Sequence, residues 1–258
     1  MTTKNYQRIT SPQNNQIKLL EKLNQKKYRQ EAKQFMVENL ATIIDALKDN
    51  NDFESLFITE EFANKHKDKL EYLQNNSQTQ NFYLIDDRVN KYYSNLDTPS
   101  GITAIYNMKE KKLDKSSVIY LNGVSDPGNL GTIMRSALAF DFVNLVLDET
   151  CVDVYNPKVI GAAKDTVFKL NIIEDKTGNW LKNNKLPVYA TDSHSGVLLA
   201  KFKPAKAFCL VLGSESHGIS PEIMKLAKKS LKIEISSKIE SLNVATAAAI
   251  LFYELKRK

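Results

Sequence analysis

Residues 121–135 read Leu121-Asn-Gly-Val-Ser-Asp-Pro-Gly-Asn-Leu-Gly-Thr-Ile-Met-Arg135 and follow an apolar run at 118–121. Three of the chain's nine glycines fall in this stretch. Pro127-Gly128 predicts a turn, Asn129 is placed to cap a following helix, and Arg135 would lie in that helix's second turn. Two interpretations stay open: a capped turn with a solvated arginine, or a helix N-terminus that offers N–H groups, Asn129 and Arg135 to an anion. The glycine spacing matches neither the dinucleotide-binding fingerprint nor the P-loop.

Short β-rich runs alternate with helical segments on the C-terminal side of this stretch. The runs lie at 118–121, 143–147, 188–191, 208–212 and 231–235. Several are almost wholly apolar, which is typical of parallel strands covered on both faces. Ligands of such a sheet bind in the loops at the carboxyl ends of its strands.

Two further loops have unusual composition. In the first, Gly213 ends an apolar run where another backbone or a ligand could approach closely, and Glu215 follows at the strand's end. His217, in the same loop, has no partner at metal-ligand spacing. In the second, Ser241 is predicted to cap the last helix and Asn243 to fall in its first turn, where backbone donors are free. A purely structural role remains the alternative for both loops.

Composition limits the class of protein. A length of 258 residues suggests about two domains, and 42% hydrophobic with 26% charged residues is typical of globular proteins. The formal charge of +6 favours anionic partners such as nucleic acid without deciding among them. Residues 1–50 contain nine basic against five acidic side chains, so most of the excess lies there.

Several classes are disfavoured. Two cysteines cannot build a disulfide framework, and with three scattered histidines they show no zinc spacing. No apolar run approaches the ~18 residues of a membrane span, and the polar N-terminus lacks a signal-peptide core. We therefore expect a cytoplasmic protein with no metal and no membrane partner.

The chain divides at a charged segment. We predict a small α/β domain over 1–107, a linker over 108–116 and a parallel-sheet domain over 117–258. An amphipathic basic stretch in the first domain carries Lys22, Lys26, Lys27 and Arg29. These side chains are interpreted either as a solvated helix face or as contacts to RNA phosphates.

Taken in order, the three loops resemble the motifs of the SpoU (TrmH) branch of the SPOUT RNA methyltransferases. The matching residues are Asn129-Leu-Gly-x-x-x-Arg135, Gly213-x-Glu215-x-x-Gly218 and Glu240-Ser-Leu-Asn-Val-x-x-Ala247. The resemblance covers about residues 117–257. The first domain resembles, more faintly, the ribosomal-protein-like α/β substrate-binding domain often fused ahead of it.

The resemblance implies a fold, an activity and partners. It implies a C-terminal parallel-sheet domain with a deep trefoil knot, working as a homodimer. It also implies transfer of a methyl group from S-adenosylmethionine to a ribose 2′-hydroxyl of structured RNA. Ribosomal RNA is favoured over transfer RNA because of the added first domain. The sulfonium methyl is already activated, so no metal is required.

Site residues follow from the motif positions. The implied catalytic set is Asn129, Arg135, Glu215, Ser241 and Asn243. The cofactor would be held largely by main-chain atoms of three further residues, Gly213, Ile233 and Leu242. The resemblance offers Arg135 as a base, whereas a guanidinium pKa above ~12 favours an electrostatic role.

Two alternatives remain within RNA biology. Ser214 and Ser216 stand where the family usually has Asn and Gly, and Gly161 where it usually has Arg. These departures motivate a non-catalytic RNA-binding protein that keeps the fold. A methyltransferase directed at transfer RNA is the other alternative.

Overall fold

The computed structural model describes residues 6–214 and 217–257, which form two compact units. The first unit comprises the chain up to Lys109 together with Tyr155–Phe168, and the second comprises Glu110–Val154 and the chain from Lys169. A segment between two strands of the second unit therefore packs with the first. No helix in the described part of the chain is both long and apolar enough to cross a membrane.

The described residues contain short strands and mostly short helices. The strands are β1 (Gln7–Ile9), β2 (Gln34–Val37), β3 (Ser55–Thr59), β4 (Phe82–Ile85), β5 (Ile102–Asn107), β6 (Val118–Asn122), β7 (Asn144–Asp148), β8 (Asn171–Asp175), β9 (Val188–Thr191), β10 (Val197–Leu198), β11 (Cys209–Gly213) and β12 (Lys229–Lys232). The helices are α1 (Asn15–Leu23), α2 (Lys26–Ala32), α3 (Leu40–Lys48), α4 (Glu60–Lys65), α5 (Lys67–Asn76), α6 (Asp87–Tyr93), α7 (Pro127–Ala139), α8 (Pro157–Ala163), α9 (Thr166–Lys169), α10 (Asn179–Asn183), α11 (Pro221–Met224) and α12 (Val244–Lys256).

The first unit is built on a five-stranded mixed sheet in the order β1-β4-β3-β5-β2. Strands β1, β4 and β3 are parallel, and β5 runs antiparallel to both β3 and β2. Helix α1 places Ile17, Leu20 and Leu23 at 0% exposure in a core with Phe57. The predicted small α/β fold is thereby confirmed, although the three-residue strand β1 was missed because it is too short to show a pattern.

Arg29 lies in this unit's interior, which corrects one prediction. The side chain is 2% exposed, and Nη1 donates hydrogen bonds of 2.8 Å to the carbonyl oxygens of Leu23 and Asn24. These carbonyls belong to the end of α1, where the helix leaves its last C=O groups without helical partners. Arg29 therefore joins α2 to α1, and the prediction that it contacts RNA phosphate is wrong.

Replacing Arg29 by alanine should lower the free energy of unfolding by about 2 kcal/mol, because two carbonyls lose a charged donor. Lys26→Ala, an exposed substitution on the same helix, should change it by no more than about 0.5 kcal/mol. Denaturation in guanidinium chloride followed by circular dichroism measures both values. Equal values for the two variants would contradict the structural role.

The second unit is built on a seven-stranded sheet in the order β10-β12-β9-β11-β6-β7-β8. All six strand pairs are parallel. The first four residues of β6, β7 and β11 are buried throughout, as expected when helices cover both faces. The predicted parallel sheet is confirmed.

Three details of the strand predictions were wrong. Strand β10 was missed because two residues are too few to show a pattern. The run at 231–235 forms a strand only as far as Lys232, since its partner β9 ends at Thr191 and β10 has two residues. Strand β8 was missed because it lies at the sheet's edge and its residues Asn171, Glu174 and Asp175 break the apolar pattern.

Candidate active site

The site lies where the strand order of the second unit reverses. Strands β7 and β8 follow β6 on one side, whereas β11 and β9 lie on its other side. The loops after β6 and β11 therefore leave adjacent strand ends in opposite directions, which opens a crevice. The side chain of Asn122, the last residue of β6, joins the two loops by accepting a 2.8 Å hydrogen bond from the Ser220 backbone N–H.

The carboxylate of Asp148 organises the same edge from the end of β7. It accepts hydrogen bonds from the Asn122 amide at 2.5 Å and from the Gly123 backbone N–H at 3.2 Å. It also accepts from the backbone N–H groups of Thr150 and Cys151, each at 3.0 Å. One side chain thus holds the start of the 121–135 stretch against the loop after β7.

Helix α7 begins three residues earlier than the sequence suggests. Its N-cap is Asp126, whose Oδ1 accepts a 2.8 Å hydrogen bond from the backbone N–H of Asn129, and Pro127 occupies the first turn. The prediction that Asn129 caps this helix is wrong. A cap three residues earlier leaves the Asn129 side chain available for another contact.

That contact is with the third motif. Nδ2 of Asn243 donates a 3.0 Å hydrogen bond to Oδ1 of Asn129, across 114 positions of sequence. Asn243 is itself the N-cap of α12, since its Oδ1 accepts from the backbone N–H groups of Ala245 at 3.0 Å and Thr246 at 3.2 Å. The prediction that Ser241 caps this helix is wrong, since Ser241 lies two residues before the N-cap. The amide of Asn243 therefore uses its oxygen for the helix and its nitrogen for Asn129.

The two functions of Asn243 can be separated. Asn243→Ala should lower the free energy of unfolding by about 1 kcal/mol through loss of the cap. Asn243→Asp keeps the capping oxygen and should retain stability, while it removes the N–H that orients Asn129. Thermal melting and a methyl-transfer assay together test this, and both variants should lose transfer. An Asp variant with full activity would contradict the orienting role.

Gly213 allows a close crossing of main chains at the end of β11. A Cβ at this position would overlap the carbonyl carbon of Gly218 and lie 2.5 Å from the backbone nitrogen of Ile219. Ser214 and Gly218 exchange backbone hydrogen bonds of 3.1 and 3.0 Å, which closes the loop. Glu215, predicted to take part in catalysis, and Ser216 lie outside the described residues.

A cavity of about 610 Å³ opens at the carboxyl ends of β9, β11 and β12. That volume is typical of sites for cofactor-sized molecules. Its wall includes all three residues predicted to hold the cofactor and one of the predicted catalytic residues: Gly213, Ile233, Leu242 and Ser241. The structure thus brings the second and third motifs to one cavity.

Asp192 gives this cavity a fixed negative charge. Its carboxylate accepts hydrogen bonds from the backbone N–H of His194 at 2.8 Å and from the Ser195 hydroxyl at 2.7 Å. Partial burial opposes ionisation, but the hydrogen bonds from Ser195 and the His194 backbone outweigh it and hold the pKa of Asp192 below its usual value. A carboxylate that is ionised at neutral pH therefore lies in the cavity wall.

Comparison with known proteins identifies the family. The model described as "SpoU rRNA Methylase family" matches residues 116–253, more than half of the chain. The chain belongs to the SpoU rRNA methylase family. A second model, the "MRM3-like substrate binding domain", matches residues 14–104. The family inferred from the three loops is thereby confirmed.

Individual SpoU relatives match over nearly the whole chain. The 23S rRNA (guanosine(2553)-2′-O)-methyltransferase RlmP of Bacillus subtilis is 27% identical, over 96% of this chain and 98% of that protein. A structure of a candidate TrmH-family RNA methyltransferase from Porphyromonas gingivalis is 30% identical, with a TM-score of 0.81 and coverage of 94% and 97%. The AdoMet-bound rRNA methyltransferase of Sinorhizobium meliloti shares the fold at 24% identity, with a TM-score of 0.83 and 98% of each chain covered.

Arg135, the last residue of the first motif, lies on α7 and is exposed. Its guanidinium forms no hydrogen bond or ion pair with the part of the chain that the structure describes. It lies two turns along the helix from Asn129, outside the wall of the 610 Å³ cavity. The group is thus available to a ligand that approaches α7.

Three of the four basic side chains that were predicted to contact RNA lie on the surface of the first unit. Lys22, Lys26 and Lys27 are exposed. The ammonium groups of Lys22 and Lys27 lie 5.5 and 5.6 Å from the centre of the Tyr28 ring, within cation–π distance. Phosphate contact by these three lysines remains a prediction.

Both cysteines are buried, and burial raises the pKa of each thiol to about 12. They are therefore unreactive thiols at neutral pH. Within residues 6–214 and 217–257, no group of three or more His, Cys, Asp and Glu side chains is arranged to hold a metal ion.

The sequence analysis did not identify the residues that hold the loops of the candidate site in place. Asn122 and Asp148 are each the last residue of a buried strand, and Asp192 directly follows another. A polar residue at the carboxyl end of an apolar parallel strand was the signal available in the sequence. Asp192 and His194 had no further signal, because only the fold brings their loop to the cavity.

Proposed function

We propose that this protein methylates a ribose 2′-hydroxyl of ribosomal RNA, with S-adenosylmethionine as the methyl donor. The observation that carries the proposal is the convergence of the motifs. Gly213, Ile233, Ser241 and Leu242 line one cavity, and Asn243 of the third motif is bonded to Asn129 of the first.

The cavity suits this cofactor chemically. Apolar side chains in its wall, such as Ile233 and Leu242, suit an adenine ring, and the ionised Asp192 complements a cationic sulfonium or amino group. Gly213 lets the main chain at Gly218 and Ile219 cross closely at the cavity wall, which a side chain would prevent. The Sinorhizobium meliloti relative was crystallised with AdoMet bound.

The reaction requires no covalent bond between the protein and the substrate. The cofactor supplies a methyl group that is already activated by its positive sulfonium. The chain's residues must hold the ribose hydroxyl in line with that methyl and favour loss of the hydroxyl proton. Asn129, oriented by Asn243, presents its amide at the start of α7, where it can fix the ribose.

Arg135 supplies charge rather than a proton acceptor in this mechanism. A guanidinium with a pKa above ~12 stays protonated, so it binds an RNA phosphate and stabilises the developing alkoxide. The hydroxyl proton then leaves to water or to a phosphate oxygen. Glu215, by its motif position, would orient Asn129, Arg135 or the substrate.

The first unit would hold the RNA. Its match to a substrate-binding domain, the three exposed lysines of the basic stretch and the basic excess of residues 1–50 all support this role. The Bacillus subtilis relative acts on a guanosine of 23S rRNA, which supports ribosomal over transfer RNA as the substrate class. We propose residues 1–107 and 117–258 as the functional domains, with 108–116 as the linker.

Assembly and location follow from the same family. We infer a deep trefoil knot in the second unit, formed by the chain after β11 and closed by α12, which packs against α7 and β11. We also infer a homodimer and a cytoplasmic location, where a bacterial relative's ribosomal substrate resides. Sedimentation equilibrium of the full chain tests the dimer.

Labelled S-adenosylmethionine and unmodified 23S rRNA transcript test the activity. We expect label on ribose, in a dinucleotide that resists alkaline hydrolysis. Binding of S-adenosylhomocysteine without any transfer would instead favour the non-catalytic RNA-binding protein. Transfer to unmodified tRNA alone would favour the tRNA-directed enzyme.

A further inference from the structure

A second cavity, of about 310 Å³, lies within the first unit at the carboxyl ends of the parallel strands β3 and β4. It is at the lower end of the volumes typical of small-ligand sites, roughly 300 Å³. Its wall includes Phe62, Lys65, His66, Asn90 and Lys91. None of these residues belongs to a SpoU motif or to the basic stretch at Lys22–Lys27.

The side-chain amide oxygen of Asn90 forms no hydrogen bond with the described residues. The residue is 3% exposed, and its Oδ1 is buried without a hydrogen-bond partner among the described residues. Buried side-chain amides are nearly always paired, because an unpaired one loses its hydrogen bonds to water. An amide that lines a cavity and lacks a partner is suited to pair with a ligand's donor and acceptor.

The cavity also offers an aromatic face. The rings of Phe62 and His66 are 4.5 Å apart between centroids, and His66 is only half-buried. Gly101, at φ +74°, packs so closely that an added Cβ would lie 3.0 Å from Cβ of Phe62. The close packing fixes Phe62, which in turn supports the His66 ring at the cavity wall.

Charges line the rim. Lys65 and Lys91 are exposed and form no ion pair with the described residues. The acidic residues Glu61 and Asp87 also line the cavity. Cations suit the phosphates on either side of a nucleotide, and carboxylates suit the amino groups of a base.

We propose that this cavity binds one unpaired nucleobase of the RNA substrate. Sequence-specific proteins read single-stranded RNA by stacking splayed bases on aromatic side chains and bonding their edges. Here the Asn90 amide would bond the base edge and His66 would stack on its face. Lys65 and Lys91 would contact the flanking phosphates. The inference rests on the proposed function, since it presumes an RNA substrate held by the first unit.

Fluorescence anisotropy with the full chain tests the proposal. The probes are a labelled oligoadenylate hexamer and a hexamer of the same length with abasic ribose at each position. Adenine is used because its amino group and ring nitrogen complement an Asn amide. Wild-type protein should bind the oligoadenylate about tenfold more tightly than the abasic hexamer.

Asn90→Leu should abolish that difference without lowering the melting temperature, because a branched apolar side chain replaces an unpaired buried amide. Lys65→Ala combined with Lys91→Ala should weaken binding of both hexamers, whereas Lys69→Ala, on the exposed surface of α5, should not. The lysine variants keep the test decisive if Asn90→Leu fails to fold.

Three results would overturn the site. They are equal binding of the two hexamers by wild type, unchanged discrimination in Asn90→Leu, and adenosine 5′-monophosphate competing as well as the hexamer. The last would point to a free nucleotide as ligand. This binding assay contains neither cofactor nor ribosomal RNA. The proposed function is tested separately by the methyl-transfer assay, so the two proposals can fail independently.

Discussion

Arg135→Ala should lose methyl transfer to ribosomal RNA by about 10²–10³-fold, the usual cost of removing one group that stabilises transition-state charge. The affinity for S-adenosylhomocysteine should stay the same, because Arg135 lies outside the wall of the cofactor cavity. Single-turnover transfer rates and calorimetry measure the two quantities. A loss in both would mean that the substitution damages the cavity instead.

Two control variants sharpen this result. Arg135→Lys keeps the positive charge but not the planar fork, so it should recover part of the rate if the role is electrostatic. Thr132→Ala changes another exposed residue of α7 and should leave the rate unchanged. A steep rise of the Arg135→Lys rate with pH, absent in wild type, would favour the role of a base.

Gly213→Ala should lower the free energy of unfolding by about 3 kcal/mol and abolish cofactor binding. The added Cβ would overlap the main chain at Gly218 and approach the backbone nitrogen of Ile219 to 2.5 Å, and main chain cannot rotate away as a side chain can. The loop closed by Ser214 and Gly218 would have to open, and the cavity wall with it. Chemical denaturation and titration with S-adenosylhomocysteine measure both effects.

Gly161→Ala is the matched control. Gly161 lies inside α8, and a Cβ there meets no atom within 4 Å. Alanine should raise the free energy of unfolding by about 0.5–1 kcal/mol through helix propensity. Similar losses for the two variants would show that close backbone approach is not what distinguishes Gly213.

Local patterns predicted most of the fold. The apolar runs of β6, β7, β9 and β11 and the helices between them follow from period and burial, which are properties of neighbouring residues. Strands β1, β8 and β10 lie at sheet edges and escaped prediction because they are short or polar. The end of β12 at Lys232 depends on where its neighbours stop, so no local rule could have given it.

The sequence predicted which residues belong to the site more accurately than it predicted the hydrogen bonds that those residues form. Gly213, Ile233, Ser241 and Leu242 were named together and do line one cavity. The caps were wrong, since Asp126 and Asn243 occupy those positions and Asn129 and Ser241 do not. Asn, Asp and Ser cap helices about equally well, so sequence alone cannot choose among candidates two or three residues apart.

The sequence by itself determined the class of fold and the three loops that matter, because glycine, proline and strand patterns act over a few residues. The resemblance of those loops to known motifs indicated the family. Only the tertiary structure decided that Asn243 reaches Asn129 across 114 positions. It also decided that Arg29 is interior, and that Asn90 lines a cavity while its amide oxygen has no partner among the described residues. The burial of a side chain and its hydrogen-bond partners depend on chain segments that are distant in sequence. They are therefore defined only once the sheets have assembled.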